Sequence, residues 1–517
     1  MRLVTKRVHM NKCSDTKEQQ ITVDKDFNVP DAKPDVASVM KEQGRIEIEE
    51  ARLVAGKARI EGTLHFQLLY TPEEGGICQM TGTIPFDESI SMPEAGENDE
   101  IKVEATIEDL RSQIINSRKL GIRGILAFEV CAETICDSEA AVEIEEGDHV
   151  YEKTRTFPVS RLVASKKDTL RVRDEWKVPV TSDGVGEILY SDFTLGEMDI
   201  RVLNDEIQVD GQCSFFAIYA GDGEEKSLNC FDKSFEISGK IPCNGCEEDM
   251  VARVVPRIHT SDVSIKEDED GESRLLEVEV VVEFDIKIYG SETLELLTDF
   301  YSTKGKCQPI YEQSFFQNLL LQNKNRFRVN GNLQTVEGKP PREIWDVSGA
   351  LRIDKKQPLD TGLQIEGAID VQVLYRTEGN GVPLATAKGS IPFSQLIEAE
   401  DLDEMSVIDL MGALEQINAS VMGENEIEIK AVIGFQLMVF RKIEEPMISD
   451  FHWEEVDWKE KAKEPAMVGY TLQDGEELWD IAKRFFTTVE HLEQINHLEE
   501  REAKSGDMIL VVTPRNC

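Results

Sequence analysis

The sequence predicts a multidomain, mainly β protein, with three tandem β-sandwich-like repeats followed by a small β-α-α-β domain. Two observations predict the repeats. Apolar and polar residues alternate over many segments, which is typical of strands with one buried face, and one such pattern recurs three times. Near the C-terminus the spacing of apolar residues changes to the helical period, which predicts the smaller domain.

The recurring pattern is a strand in which a glycine interrupts the apolar face. The three strands lie at 59–70, 207–219 and 363–375. Their glycines are Gly62, Gly211 and Gly367, and a tyrosine follows each of them eight residues later. Because glycine has no Cβ, we expect a neighbouring group to pack closely against each of these positions.

Further residues keep nearly fixed distances from each glycine. An apolar residue lies 23 positions before it, at Val39, Ile188 and Ile344. A phenylalanine follows the tyrosine by 16, 16 and 18 residues, at Phe86, Phe235 and Phe393. Coincidence does not explain several such anchors in three copies, so the chain carries a tandem repeat. We predict copies at 1–137, 149–292 and 293–445.

Several segments within the copies give local predictions. The run LLEVEVVVEFDIKIY at 275–289 alternates most regularly and indicates an antiparallel sheet with one solvated face. Residues 311–323 are compatible with a short helix, whereas 402–421 could form either a helix or a strand. The predicted linker is 446–466, and its charged part 451–466 carries two tryptophans and one proline.

The last part of the chain, 467–517, has a different pattern. Its residues predict a strand at 467–472, a helix at 475–486, a second helix at 488–496 and a strand at 506–512. The resulting order is β-α-α-β.

The composition limits the classes of function. A formal charge of −43 over 517 residues argues against nucleic acid and against anionic lipid as partners. We find neither a secretory signal nor an apolar run that could insert into a membrane, so we expect a cytoplasmic protein. Ten cysteines in this length do not form a disulfide framework.

No catalytic, cofactor-binding or metal-ligating motif is recognised, so we expect no enzyme, no cofactor and no metal. The single CxxC, Cys243 to Cys246, has no second cysteine pair that would complete a zinc site. It is either a turn with two ordinary thiols or a site of disulfide formation between chains.

The C-terminal segment resembles a LysM domain. The matching residues are Tyr470, Thr471, Gly475, Leu478, Trp479, Ile481, Ala482, Leu492, Asn496, Gly506 and Ile509. The resemblance implies binding of N-acetylglucosamine polymers in a groove between two loops. The family's usual Gly-Asp-Thr is replaced here by Gly475-Glu476-Glu477, and the segment carries 10 acidic and 5 basic residues. A protein ligand is therefore an equal alternative to glycan.

The candidate binding residues lie in the two loops of this LysM-like segment and beside them. They are Gly475, Glu476, Glu477, Leu478, Trp479, Ile495, Asn496 and His497. Trp479 either packs against the strands of its own domain or acts as an aromatic anchor in a protein contact, because tryptophan is enriched at binding hot spots.

The three repeats resemble the SPOCS domain of endospore formers. The motif begins with a proline-containing segment, at Pro34 and at Pro340-Pro341, and continues with the Gly…Tyr strand. It ends with Gly-x-Ile-Pro-Phe at 82–86 and 389–393. Copy two departs from the motif at both the proline-containing segment and the Ile-Pro-Phe. SPOCS-like repeats followed by LysM resemble SipL-like spore coat morphogenetic proteins.

This resemblance implies a non-enzymatic scaffold in the mother-cell cytoplasm, at the forespore surface and spore coat. Its LysM domain would bind the coat basement-layer ATPase, a stage IV sporulation protein A-like protein. The alternative is a cell-wall or cortex protein that binds peptidoglycan or N-acetylglucosamine.

Overall fold

The structure is a computed structural model that describes all residues except 15, 98, 148, 224–225, 378–383, 401, 404, 458, 460–464, 499–502 and 513–517. The strands are β1 (Arg2–Cys13), β2 (Lys17–Asn28), β3 (Val36–Val54), β4 (Lys57–Pro72), β5 (Cys78–Ser91), β6 (Glu100–Asn116), β7 (Lys119–Glu145), β8 (Val150–Lys177), β9 (Val185–Leu203), β10 (Glu206–Gly221), β11 (Leu228–Pro242), β12 (Val251–Lys266), β13 (Leu275–Ser302), β14 (Gly305–Gln334), β15 (Pro341–Leu359), β16 (Gly362–Thr377), β17 (Leu384–Glu398), β18 (Ser406–Val421), β19 (Glu426–Glu455), β20 (Met467–Thr471) and β21 (Met508–Val512). The helices are α1 (Leu478–Phe485) and α2 (Val489–Asn496).

Each copy contains two antiparallel sheets that enclose one apolar core. In copy one, the sheet β3-β4-β5 packs on a sheet in which β7 lies between β2 and β6. Copy two repeats this arrangement with β9-β10-β11 and β12-β13-β8, and copy three with β15-β16-β17 and β14-β19-β18. The predicted class, three tandem β-sandwich-like repeats, is confirmed.

The three glycines of the repeat occupy equivalent positions. Gly62, Gly211 and Gly367 lie in the middle strand of the first sheet, each at a shift of register against the strand before it. A Cβ at these positions would overlap with a carbonyl oxygen of that strand, belonging to Glu47, Glu197 and Arg352 respectively. The close approach predicted from the sequence is therefore present in all three copies.

The tyrosines that follow the glycines attach a loop to each sandwich. Tyr70 is fully buried and donates a hydrogen bond to the carbonyl of Pro34 at 3.1 Å. Tyr375 is fully buried as well, and its hydroxyl accepts from the amide of Val336 at 3.2 Å. In these copies the tyrosine thus fixes the chain just before the first strand of the sheet.

The longest strands extend beyond their sandwiches and form a shared structure, which we call the hub. The C-terminal half of β7 pairs with β1. The C-terminal half of β13 pairs with the N-terminal half of β8, and the C-terminal half of β19 pairs with the N-terminal half of β14. The apolar side chains of these three ribbons form a core common to all copies. It includes Val8, Ala140, Val159, Leu294, Phe300, Phe316 and Ile448.

Equivalent residues of the three copies also meet at a common axis. The strands β3, β9 and β15 each have 19 residues, so Lys41, Tyr190 and Asp346 occupy the same position. The Lys41 ammonium contacts the Asp346 carboxylate and lies 4.6 Å from the centre of the Tyr190 ring. The preceding position contributes an apolar layer of Met40, Leu189 and Trp345.

A second contact layer lies where the sandwiches meet the hub. The Lys287 ammonium of copy two contacts the Glu133 carboxylate of copy one, and both side chains are buried. Tyr289 and Phe440 pack edge to face with ring centres 5.0 Å apart. The three copies are thereby joined through polar and aromatic pairs in addition to the hub core.

The structure corrects several local predictions. Residues 311–323, expected to form a helix, belong to β14, because pairing with β19 along the whole strand overrides the local pattern. The ambiguous region around 402–421 contains the strand β18. The predicted linker 446–466 begins too early, since β19 continues to Glu455. The predicted limits at 137 and 292 lie inside β7 and β13 because both strands enter the hub.

Candidate functional site

The C-terminal domain has the predicted β-α-α-β order. The strands β20 and β21 pair antiparallel, and both helices pack on one face of this small sheet. The core contains Ile481, Ala482, Leu492, Ile509 and Val511. Helix α1 is preceded by a capping box between Glu477 and Asp480. Helix α2 is capped by Thr488, whose hydroxyl accepts a hydrogen bond from the His491 amide at 3.1 Å.

The first loop holds one of its two glutamates firmly. Gly475 makes the turn with φ +80°, a conformation that glycine adopts without strain. The Glu476 carboxylate accepts from the Gln473 amide at 3.0 Å, the Tyr470 hydroxyl at 2.9 Å and the Arg484 guanidinium at 3.2 Å. These hydrogen bonds lower the pKa of Glu476 below its usual range, and the bond from the Gln473 amide has the largest effect. Glu476 therefore shapes the loop.

The second loop is attached to the sheet by Asn496. Its amide donates to the carbonyls of Leu492 at 2.8 Å and Leu510 at 2.9 Å, and its side-chain oxygen accepts from the Leu510 amide at 2.7 Å. His497 follows with φ 54° and an exposed side chain, whereas Ile495 is half-buried. Of these predicted residues, Asn496 has a structural role and His497 remains accessible.

Trp479 packs against the core cluster of its own domain and also contacts copy two. Its indole Nε1 donates to Asp299 Oδ2 at 2.8 Å, and its ring lies edge to face against Tyr301 at 4.8 Å. Lys483, one helical turn further along α1, donates to the other oxygen of Asp299 at 2.5 Å. Trp479 is thus an aromatic anchor, but in a contact within the chain.

Tyr301 completes this contact from the side of the hub. It is only 2% exposed and belongs to the core cluster of the C-terminal domain. Tyr151 stacks on it at 5.3 Å, and Lys153 forms an ion pair with Glu477 at 2.6 Å. We call Tyr151, Lys153, Asp299 and Tyr301 the ribbon patch, because all four lie on the β8–β13 ribbon.

The structure brings the predicted residues to two places. Gly475 to Trp479 form the first loop and the start of α1, where Leu478 joins the core, and Ile495 to His497 lie at the end of α2. Sequence reasoning missed the ribbon patch, since its residues precede the domain by more than 160 positions and match no motif. Their role in binding an external partner remains a prediction.

Neither the CxxC pair nor any group of possible metal ligands forms a reactive or metal-binding site among the described residues. Cys243 and Cys246 form a disulfide, and both residues are buried in the core of copy two. This pairing within the chain differs from both predicted alternatives, a turn with two ordinary thiols and a bond between chains, and a bond between chains stays untested. Within the described ranges, no group of three or more His, Cys, Asp or Glu residues could hold a metal ion.

An open cavity of about 2020 Å³ lies between the three copies. Acidic side chains such as Glu42, Asp109, Glu197 and Glu415 line it. Its charge agrees with that of the whole chain and does not by itself identify a ligand. Among the helices that the structure describes, none is both long and apolar enough to cross a membrane.

Comparison with protein families agrees with this architecture. The family described as SipL, SPOCS domain, matches residues 35–115, 184–266 and 341–422, and the LysM domain family matches 470–512. No curated protein and no solved structure matches the chain.

The three SPOCS matches begin close to the first strand of β3-β4-β5 and its equivalents and end within or at the end of β6, β12 and β18. The LysM match begins within β20 and covers both helices and β21. SPOCS and LysM domains are non-catalytic binding domains, and SPOCS domains are associated with sporulation. The chain is therefore a SipL-like, sporulation-related protein, with three tandem SPOCS domains and a C-terminal LysM module of the peptidoglycan-binding type.

Proposed function

We propose that the protein is a non-enzymatic scaffold of the spore coat in the mother-cell cytoplasm. Its LysM domain binds the coat basement-layer ATPase, a stage IV sporulation protein A-like protein, and thereby links this ATPase to the forespore surface. The SPOCS domains provide the body that holds the LysM domain in place.

One observation carries the proposal: the LysM domain is seated on the hub through a buried aromatic side chain. Tyr301 is 2% exposed within the LysM core, and both Trp479 and Lys483 bind Asp299. The face of α1 that carries Trp479 and Lys483 therefore receives protein side chains, which supports a protein as the ligand of this domain.

The first loop of the LysM domain also favours a protein ligand. Glu476 and Glu477 replace the residues that are usual in glycan-binding members, and Glu476 is occupied by three donors of its own domain. With 10 acidic and 5 basic residues at 467–517, the domain has a negative field that attracts a basic protein surface.

Affinity purification with the ATPase tests this proposal. The full-length chain should retain the ATPase, and a chain that ends at residue 466 should lose it. A Met508→Ala variant, altered at an exposed residue on the outer face of the LysM sheet, serves as the matched control. Equal recovery by the full-length and shortened chains would assign the contact to the SPOCS domains.

Peptidoglycan binding is the second candidate, and the LysM match favours it. Sedimentation with insoluble peptidoglycan separates the two functions. Pelleting of the full-length chain that disappears when residues 467–517 are removed would favour the glycan function. Absence of pelleting, together with recovery of the ATPase, would favour the scaffold.

A further inference from the structure

We propose that the segment Asp299–Tyr301 is an internal ligand of the LysM domain and occupies the surface that a protein partner uses. The partner then presents an extended segment with a carboxylate and, two residues later, an aromatic ring. This inference rests on the proposed function, since it specifies the protein ligand of the same domain.

The carboxylate half of the contact has two donors from one helix face. Trp479 and Lys483 lie four residues apart on α1 and therefore project from the same side. The indole N–H bonds to one oxygen of Asp299 at 2.8 Å, and the ammonium bonds to the other at 2.5 Å. Because the ammonium donor is charged, its hydrogen bond is stronger than one between neutral groups. The Trp479 and Lys483 donors together therefore form a binding site for a single carboxylate.

The aromatic half lies beside it. Tyr301 packs with its ring centre 4.8 Å from that of Trp479, at an interplanar angle of 76°. It shares one core cluster with Ile481 and Leu492 although it belongs to another domain. An edge-to-face aromatic pair of this kind stabilises the contact beyond the burial of its area.

The strand geometry explains the spacing of two residues. Alternate side chains of a strand point to opposite sides. Phe300 points into the hub core and packs against Phe451 at 5.2 Å, whereas Asp299 and Tyr301 contact the LysM domain. Any extended segment with a carboxylate and an aromatic ring two residues apart can therefore reproduce the contact.

Lys153 marks the edge of this surface. Its ion pair with Glu477 is exposed on both sides, with 42% and 64% of the side chains accessible. Exposed pairs contribute little, because water and salt screen them. Lys153 therefore offers a matched control on the same ribbon that leaves the carboxylate and aromatic contacts intact.

The internal ligand competes with any external one, because tethering gives it an effective concentration on the order of millimolar. We test this with a cyclised hairpin peptide that carries residues 150–155 and 297–302, labelled for fluorescence polarisation. The full-length Asp299→Ala/Tyr301→Ala variant should bind the peptide at least about tenfold more tightly than wild type. Lys153→Ala should behave like wild type. Equal binding by the double variant and wild type would overturn the inference, as would equal binding of a peptide without the aspartate.

Hydrogen exchange gives a second test that does not require the double variant to fold. In the single variant Asp299→Asn, the amides of α1 should exchange about tenfold faster, while the strands of the hub stay unchanged. Unchanged exchange in α1 would contradict the internal contact. Neither measurement uses the ATPase, so failure of this inference is distinguishable from failure of the proposed function.

Discussion

Lys41 of copy one and Asp346 of copy three occupy the same position in their repeats and form a buried ion pair where the copies meet. The third equivalent residue, Tyr190, places its ring 4.6 Å from the same ammonium group. Three different side chains therefore fill one repeated position. Two of these side chains carry opposite charges, and their pairing joins copies one and three at the axis.

Removal of one partner of this pair should destabilise the protein strongly. Lys41→Ala leaves the Asp346 carboxylate buried without its cation, which typically costs about 3–5 kcal/mol. Calorimetry should show a lower unfolding temperature. Lys119→Ala, which breaks a pair with Asp26 in which the two side chains are 38% and 48% exposed, is the control and should change stability by at most about 1 kcal/mol. Equal effects of the two substitutions would refute the buried-pair argument.

The repeat glycines should not tolerate a side chain. In Gly367→Ala the new Cβ overlaps with the Arg352 carbonyl and approaches Phe393, so the strands must separate. We expect a loss of about 1–3 kcal/mol, measured by chemical denaturation. Gly223→Ala is the matched control, since no described atom lies within 4 Å of its Cβ. A neutral Gly367→Ala would show that the close approach is dispensable.

The first LysM loop should be sensitive to acid. The pKa of Glu476 is lowered in the folded state, chiefly by the Gln473 amide and then by Tyr470. Its contribution to stability is complete above the unfolded pKa of about 4.3 and disappears as the pH falls through the lower folded value. NMR of the labelled Trp479 indole should therefore report loosening below about pH 4. In Glu476→Gln this pH dependence should be absent; a persistent one would assign it to another group.

The cysteine pair should behave as an internal disulfide. Because Cys243 and Cys246 are bonded and buried, blocking reagents should not label them without prior reduction and unfolding. Non-reducing gels of Cys243→Ser and Cys246→Ser should match the wild type. Labelling after reduction in denaturant, when every thiol should react, provides the control. Oligomer bands that vanish in either variant would restore the hypothesis of a bond between chains.

Sequence patterns predicted what is local and repeated. The spacing of Gly62, Gly211 and Gly367 identified equivalent strands, and helical periodicity identified α1 and α2. The same reasoning assigned a helix to 311–323, because a short amphipathic run does not reveal its distant partner β19. The hub was missed for the same reason, since it pairs Arg2 with Glu145.

The site was predicted only in part. The sequence identified Trp479 as a candidate aromatic anchor. Its hydrogen-bond partner Asp299 could not be predicted, because it lies 180 positions earlier and belongs to no motif. Glu476 and Asn496 were predicted to bind a ligand, and this role stays a prediction. Their hydrogen bonds add a structural role, because they hold the two loops in shape. Such roles depend on three-dimensional contacts that spacing along the chain does not encode.

Localisation in sporulating cells tests the central claim most directly. A fluorescently tagged chain should collect at the forespore surface when it is full length, and it should remain diffuse in the mother cell without residues 466–517. Accumulation of the shortened chain at the forespore, equal to that of the full-length chain, would contradict the role of the LysM domain.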